Sequence, residues 1–382
     1  MRLSIHSALD AILAFAIACG GMAAGGDLPL EERIGRREFP SVFQAWSPAE
    51  IPGEDRRKAM ARHDMVFHGP EGFGLRWSGP HVGLATGFDG ESVAAGRELR
   101  RMLLSLNSRL VLIAEIRYRD APRNWLPESH RWWKRGRDGK PAPGWEEGGY
   151  LLLDFEDPEF RAHVAGQCRA VVETGVVDGV MLDWWTEDAD RIALAKAVRA
   201  AVGETALILV NANDRKVPGS ASFVNGLFLE CYRSKTPEDW ARIAETLAWA
   251  ESNLRQPRIN CLETWWHRSA DDLDRMRATT SLALTHSDGY CLFSDPNDLP
   301  SPDHRHRWYD FWDRGLGRPA GKGKRQPDGM WLREFDRGAA AYNPLGNTPA
   351  RVVFDEERTS RATGRRARDH TVPPGDGDIF LR

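Results

Sequence analysis

Eight short, nearly continuous apolar runs recur along the chain, separated by longer stretches with helical periodicity. The runs are VFQAW (42–46), MVFHG (65–69), LVLIAEIRY (110–118), GVMLDWW (179–185), ALILVNAN (206–213), GLFLECY (226–232), RINCLETWW (258–266) and GYCLFSD (289–295). A strand wetted on one face alternates apolar with polar residues. A strand covered on both faces has no need to, and parallel strands flanked by helices have this character. The segments between carry helix start signals. Asp157 reads as an N-cap with Pro158 at the first helical position, and Thr236 with Pro237 repeats the arrangement. Glu238 and Asp239 follow where the helix dipole favours negative charge. Ser269 is the predicted cap of a helix over 269–286, and residues 91–106 and 188–202 are amphipathic. Eight strand–helix units in series predict an α/β fold, a (β/α)8 TIM barrel over residues 38–315. A doubly wound open sheet is the competing arrangement. It is disfavoured because no strand leads into a glycine-rich phosphate loop.

Two segments exceed a bare barrel. Residues 119–150 form a long insertion after the third strand with Trp125, Trp132, Trp133 and Trp145, expected to hang over the C-terminal face. Residues 316–329, rich in Gly, Pro and Lys, read as a linker. Beyond it, 330–382 holds short β-like runs separated by turn signals, which predict a small C-terminal antiparallel β domain packed on the barrel.

The first residues change the picture of location. Arg2 followed by the apolar AILAFAIACGGMAA (11–24) reads as a signal peptide over 1–24, too short to span a bilayer. The protein is therefore expected to be exported, periplasmic or extracellular. AIAC before Gly20 also has the form of a lipoprotein box, with Cys19 as a possible lipid anchor. The remaining cysteines, Cys168, Cys231, Cys261 and Cys291, have neither the density of a disulfide framework nor the spacing of a zinc site, and are expected as buried thiols. A net charge of −3 from 52 basic and 55 acidic side chains offers no footprint for nucleic acid. The 15 tryptophans are the unusual count, and flat amphipathic rings suit a surface that stacks on ligands.

Candidate chemistry follows from where the runs end, since barrel enzymes react at the C-terminal ends of their strands. Glu115 lies near the end of the third run and Asp183 closes the fourth. Asn211 and Asn213 close the fifth; Glu230, followed by Tyr232, closes the sixth. Glu263, followed by Trp265 and Trp266, closes the seventh, and Asp295 the eighth. Five acids and two asparagines on one rim, with Trp184–Trp185 and Trp265–Trp266 beside two of the acids, form a candidate site. Two opposed carboxylates are what glycoside hydrolysis requires, and tryptophans match the C–H faces of sugars. One ring of each Trp pair is expected to pack down and the other to face the cleft. Glu263 reads first as a structural or substrate-positioning acid. PDHRHRWY (302–309), with histidines at i and i+2, reads as the surface of the last barrel helix. No metal ligand set, cofactor motif or serine nucleophile elbow is apparent. A carbohydrate is the expected partner, and a non-catalytic carbohydrate-binding barrel is the alternative.

GVVDGVMLDWW (175–185), LLLDFEDPEF (151–160), GLFLECY (226–232) and the tail WLREFDRGAAAYNP with VPPGDGDIFL together resemble the hypothetical glycosyl hydrolases grouped as family fifteen. Those are similar in turn to the endo-α-1,4-polygalactosaminidase relatives, which are TIM barrels. The resemblance covers the chain from about residue 40 onward. It implies Asp183 as nucleophile or charge stabiliser, Glu230 as general acid/base, and an α-glycosidic bond as target. Other barrel glycosidases pair strands four and seven, which would make Asp183 and Glu263 the partners.

Overall fold

The computed structural model describes residues 28–265, 271–294 and 304–382. The expected signal peptide with Cys19, and the site candidates Trp266 and Asp295, lie outside the described residues. All eight apolar runs are strands: β1 (Phe43–Ala45), β2 (Met65–His68), β3 (Val111–Glu115), β4 (Gly179–Leu182), β5 (Leu207–Asn211), β6 (Gly226–Cys231), β7 (Cys261–Trp265) and β8 (Tyr290–Ser294). They pair in parallel in chain order. A parallel bridge between Val42 and Cys291, with the Cys291 amide donating to the Ser41 carbonyl at 2.9 Å, joins the last strand to the first. The fold is the expected TIM barrel with a C-terminal antiparallel sheet.

The absence of alternation in the strands has its cause here. Val111–Ala114, Val180–Leu182, Leu207–Val210 and Leu227–Leu229 are wholly buried, one face toward the barrel axis and the other under helices. Each such aliphatic side chain contributes roughly 1.5–3 kcal/mol. The helices are α1 (Leu30–Gly35), α2 (Arg56–Arg62), α3 (Gly90–Leu106), α4 (Pro158–Glu173), α5 (Ala189–Val202), α6 (Pro237–Asn253) and α7 (Leu273–His286). Asp157 caps α4 through the Glu159 amide, and Thr236 closes a capping box with Asp239 on α6. Helix α7 starts at Leu273 under an Asp272 cap, later than the Ser269 start expected.

The strand–helix series has two departures. Segment 212–225, between β5 and β6, holds turns and no helix, because Pro218 and Gly219 interrupt a connection too short for one. After β8 the described residues 304–309 are extended. His306–Arg307 pairs with Ala49–Glu50, so the described part of the stretch read as the surface of a last helix is not helical.

The tail is a six-stranded antiparallel sheet. Its strands are β9 (Lys324–Arg325), β10 (Trp331–Phe335), β11 (Gly338–Asn343), β12 (Ala350–Ser360), β13 (Arg366–Val372) and β14 (Asp376–Leu381), in the order β9-β10-β11-β14-β12-β13. The stretch read as a linker thus carries the sheet's edge strand. Helix α7 lies between this sheet and the barrel, which is why Ala278–Thr285 is buried throughout. Arg277 on α7 donates to both oxygens of Asp376, at 2.9 and 2.7 Å. Arg333 donates to the Leu284 and Ser287 carbonyls.

The two ends of the barrel differ in kind. At the N-terminal end the Asp178 side chain is 6 % exposed and accepts from Arg33, from Arg100 at 2.9 Å and from the Leu112 amide at 2.9 Å. A cleft of about 550 Å³ also opens on that side, lined by Arg37, Phe39, Arg258 and Arg333. None of the rim residues reaches it. At the C-terminal end, Phe43, Phe67 and Phe228 meet across the barrel with ring centres 5.1–5.7 Å apart. Trp46 sits on Phe67 at 4.9 Å, and the His304 ring lies 4.8 Å from Trp46. This aromatic layer is a dry floor under the rim.

Candidate active site

Asp183 directly follows β4, Asn211 ends β5, and Glu230 lies one residue before the end of β6. The Asn211 side chain joins the two acids: its Nδ2 donates to Asp183 Oδ1 and to Glu230 Oε2, both at 2.8 Å. Those two carboxylate oxygens are therefore no more than twice that distance apart. An amide nitrogen has two hydrogens, and one goes to each acid. Its orientation is fixed from the other side, where Asn211 Oδ1 accepts the Asn213 amide at 3.3 Å. The Asn213 side chain in turn donates to the Glu230 carbonyl at 2.9 Å.

Burial dominates the electrostatics. Removal from water pushes Asp183 up to about 6, and the nearby Glu115 carboxylate adds to the rise. The Asn211 amide, the Trp184 backbone N–H and the Arg117 guanidinium oppose it. Glu230 is pushed up to about 7 by burial, helped by Glu263 and Asp183 and opposed by His304 and Asn211. Glu230 thus holds its proton to higher pH than Asp183, whose carboxylate has the fuller set of donors.

The remaining rim candidates divide by accessibility. Glu115 is 5 % exposed, accepts from Trp46 Nε1 at 2.8 Å and lies 3.4 Å from Arg117, so its oxygens are held by protein partners. Glu263 is fully buried and both its oxygens face His304 Nδ1, at 3.1 and 3.0 Å. Trp185 is buried against Tyr118, whereas Trp184 is 47 % exposed with the Arg119 guanidinium stacked 4.4 Å from its ring. Tyr232 is 43 % exposed beside half-buried Trp265, ring centres 6.2 Å apart. The exposed aromatic faces thus flank the carboxylates on the β4 side and on the β6–β7 side. From the insertion, Tyr150 reaches the rim, its ring 4.6 Å from the Arg117 guanidinium. Trp133 is instead buried, and Trp132 packs on Phe160 and His163 at the side of the barrel.

Three residues at the site were not singled out in the sequence: Trp46, Arg117 and His304. His304 is 6 % exposed, bonded to Glu263 and 3.9 Å from Glu230 Oε1 through Nε2. One backbone signal marks it. Among the described residues four non-glycine positions have positive φ: Trp46 (47°), Trp184 (54°), Asn213 (52°) and His304 (58°). That conformation is disfavoured for bulky side chains, and all four lie around the same carboxylates.

No protein-family model matches the chain, and no curated protein matches it in sequence. The likeness to family fifteen therefore rests on the motifs alone. Solved structures do match in fold. A noncanonic maltogenic α-amylase from Thermotoga neapolitana aligns with a TM-score of 0.56 at 12 % identity, covering 91 % of this chain and 99 % of that one. An α-amylase from Malbranchea cinnamomea aligns at 0.54 and 10 % identity, covering 93 % and 97 %. The cyclic α-maltosyl-(1→6)-maltose hydrolase of Arthrobacter globiformis aligns at 0.52 and 10 % identity, covering 92 % and 100 %. These neighbours span the barrel and the C-terminal sheet together.

Proposed function

We propose that this chain is a glycoside hydrolase that cleaves α-glycosidic bonds of a poly- or oligosaccharide by double displacement, with Asp183 as nucleophile and Glu230 as general acid/base. The observation that carries the reading is the Asn211 amide shared by the two carboxylates. It keeps the bonded oxygens within twice 2.8 Å. Carboxyls about 5–5.5 Å apart suit direct attack with retention, while inversion needs roughly 6.5–9.5 Å to admit a water. In the first half, an Asp183 oxygen bonds to the anomeric carbon as the glycosidic C–O bond breaks, and Glu230 gives its proton to the leaving oxygen. In the second half, the Glu230 carboxylate takes a proton from water. The water oxygen bonds to the anomeric carbon, and the Asp183 ester bond breaks.

The proton order fits these roles, because the group pushed to about 7 is the acid and the one nearer 6 is the nucleophile. The alternative partner, Glu263, has no exposed surface and is occupied by His304. The α-linkage is supported by the family-fifteen resemblance and by neighbours named as α-amylases and a maltosyl-maltose hydrolase. Export, by way of the apolar N-terminal stretch, accords with a polymeric substrate. Incubation with soluble α-linked glucans and galactosaminans, with NMR of the first product anomer, tests the reading. Release of the α-anomer is expected. Release of the β-anomer would refute double displacement, and binding without release would favour the non-catalytic barrel.

A further inference from the structure

His304 lies in the segment after β8, in left-handed backbone conformation, with its ring on Trp46 and 6.1 Å from Phe228. Its two nitrogens have different neighbours. Nδ1 faces both oxygens of Glu263, and Nε2 points toward Glu230 Oε1 at 3.9 Å. Glu263 is wholly enclosed, and among the described residues His304 is the side chain that bonds its carboxylate. A buried carboxylate without a cation is costly, so the pair favours imidazolium. Protonation of His304 is correspondingly pushed up to about 9 by Glu263, Glu230 and Asp183, against the opposing effect of burial.

Building on the double-displacement reading, we propose that the Glu263–His304 pair is a positioning device for the acid/base. The imidazolium steadies Glu230 as a carboxylate after it has given up its proton, and Glu263 keeps the imidazole charged and in place. Among the described residues, the charge Glu230 must carry between the two half-reactions is otherwise favoured by Asn211 and opposed by burial, Glu263 and Asp183. It faces Asp183 from beyond β4, Glu263 from β7 and the aromatic floor below. Among the described residues His304 is the cation beside Glu230, while Arg117 serves Asp183 and Glu115. His306, two residues on, is kept neutral by burial and turns away to His63, 2.8 Å between their Nε2 atoms. A permanent cation bonded directly to Glu230 would hold it ionised and prevent the first proton donation. At 3.9 Å, without a hydrogen bond, the imidazolium lowers the cost of the carboxylate without abolishing the acid.

The test compares wild type with His304→Gln and with Glu263→Gln/His304→Gln, reading the pH dependence of kcat/KM, the pre-steady-state burst and thermal stability. In His304→Gln the alkaline limb should move up by about one pH unit. The kcat should fall up to about 10-fold with a parallel fall in KM, because the glycosyl-enzyme accumulates when less of Glu230 is ionised to act as base. Stability should fall in the single variant, where Glu263 is left buried without a cation. It should recover in the double variant, whose pH profile should stay shifted. A double variant with the wild-type limb and kcat would overturn the proposal and leave His304 as packing. So would a single variant that folds with an unshifted limb. Failure of the underlying reading looks different: wild type itself would give no burst and no retained product.

Discussion

Replacing Asp183 with Asn tests the electrostatics of the site without knowledge of the substrate. The Asp183 carboxyl is moved from an ordinary 3.8 to about 6 by burial and by Glu115. Its folded-state value is raised, so the stability associated with it is complete below about pH 4 and is lost as pH rises through 6. Above that, the buried negative charge costs the fold about 3 kcal/mol. An asparagine there has nearly the same shape, and its Oδ1 can accept the Asn211 Nδ2–H that Asp183 Oδ1 accepts at 2.8 Å. It cannot ionise. The attraction to Arg117 is already contained in that cost. The net expectation is a variant more stable than wild type by about 3 kcal/mol at pH 8, or ~4 °C in Tm for a chain of this size. The advantage should shrink to nothing near pH 4, and turnover should be abolished at every pH. Urea denaturation of both proteins from pH 4 to 8 measures it. A gain independent of pH, or a loss at pH 8, would refute the claim that Asp183 is held ionised against burial.

Activity in wild type should follow a narrow bell between about pH 6 and 7, its acid limb set by protonation of Asp183 and its alkaline limb by deprotonation of Glu230. These limits belong to the coupled pair, and kcat/KM profiles report them. Glu230→Gln should lower kcat about 10²–10⁴-fold on natural glycosides and much less on substrates with an activated leaving group that needs no proton. Trp184→Ala removes an exposed stacking face and should raise KM about 3- to 10-fold, with kcat and Tm little changed. At the other end of the barrel, Asp178→Ala leaves Arg33 and Arg100 buried without their partner and should cost about 3–5 kcal/mol by denaturant titration. Those arginines hold Asp178 below the usual carboxylate range, so its contribution is present at neutral pH and is lost as pH falls.

The barrel was legible because its strands are buried on both faces, which writes eight continuous apolar runs into the chain. The rim acids were legible for a related reason. A carboxylate closing such a run, as Asp183 does, is tolerable only at an accessible rim or against a buried polar partner. Which acid faces the cleft was less legible. Glu263 and Glu115 close their strands as Asp183 and Glu230 do, yet His304 and Trp46 cover them. Those covering residues come from beyond β8 and β1, on the far side of the barrel in sequence. His304 was hidden by its setting: two histidines at i and i+2 among charged residues suggest an exposed helix. The chain there is extended, with His304 turned inward through a left-handed backbone. Asn211 was placed on the rim, but its bond to both acids depends on the register of β4, β5 and β6, which no single run carries. The segment 316–329 looked like a linker by composition. Its sheet strand forms because Lys324 and Arg325 pair with Leu332 and Trp331.

The central claim is that Asp183 bonds to the anomeric carbon while Glu230 manages the proton. The most direct measurement is peptide mass spectrometry of Glu230→Gln after brief incubation with an α-glycosyl fluoride whose sugar the wild type cleaves. Fluoride departs without a proton, so the first step proceeds and the second, lacking its base, stalls. The account predicts a glycosyl ester on the peptide carrying Asp183, absent from the Asp183→Asn/Glu230→Gln double variant. An adduct on Glu263, or fluoride turnover to an inverted product with no adduct, would contradict it.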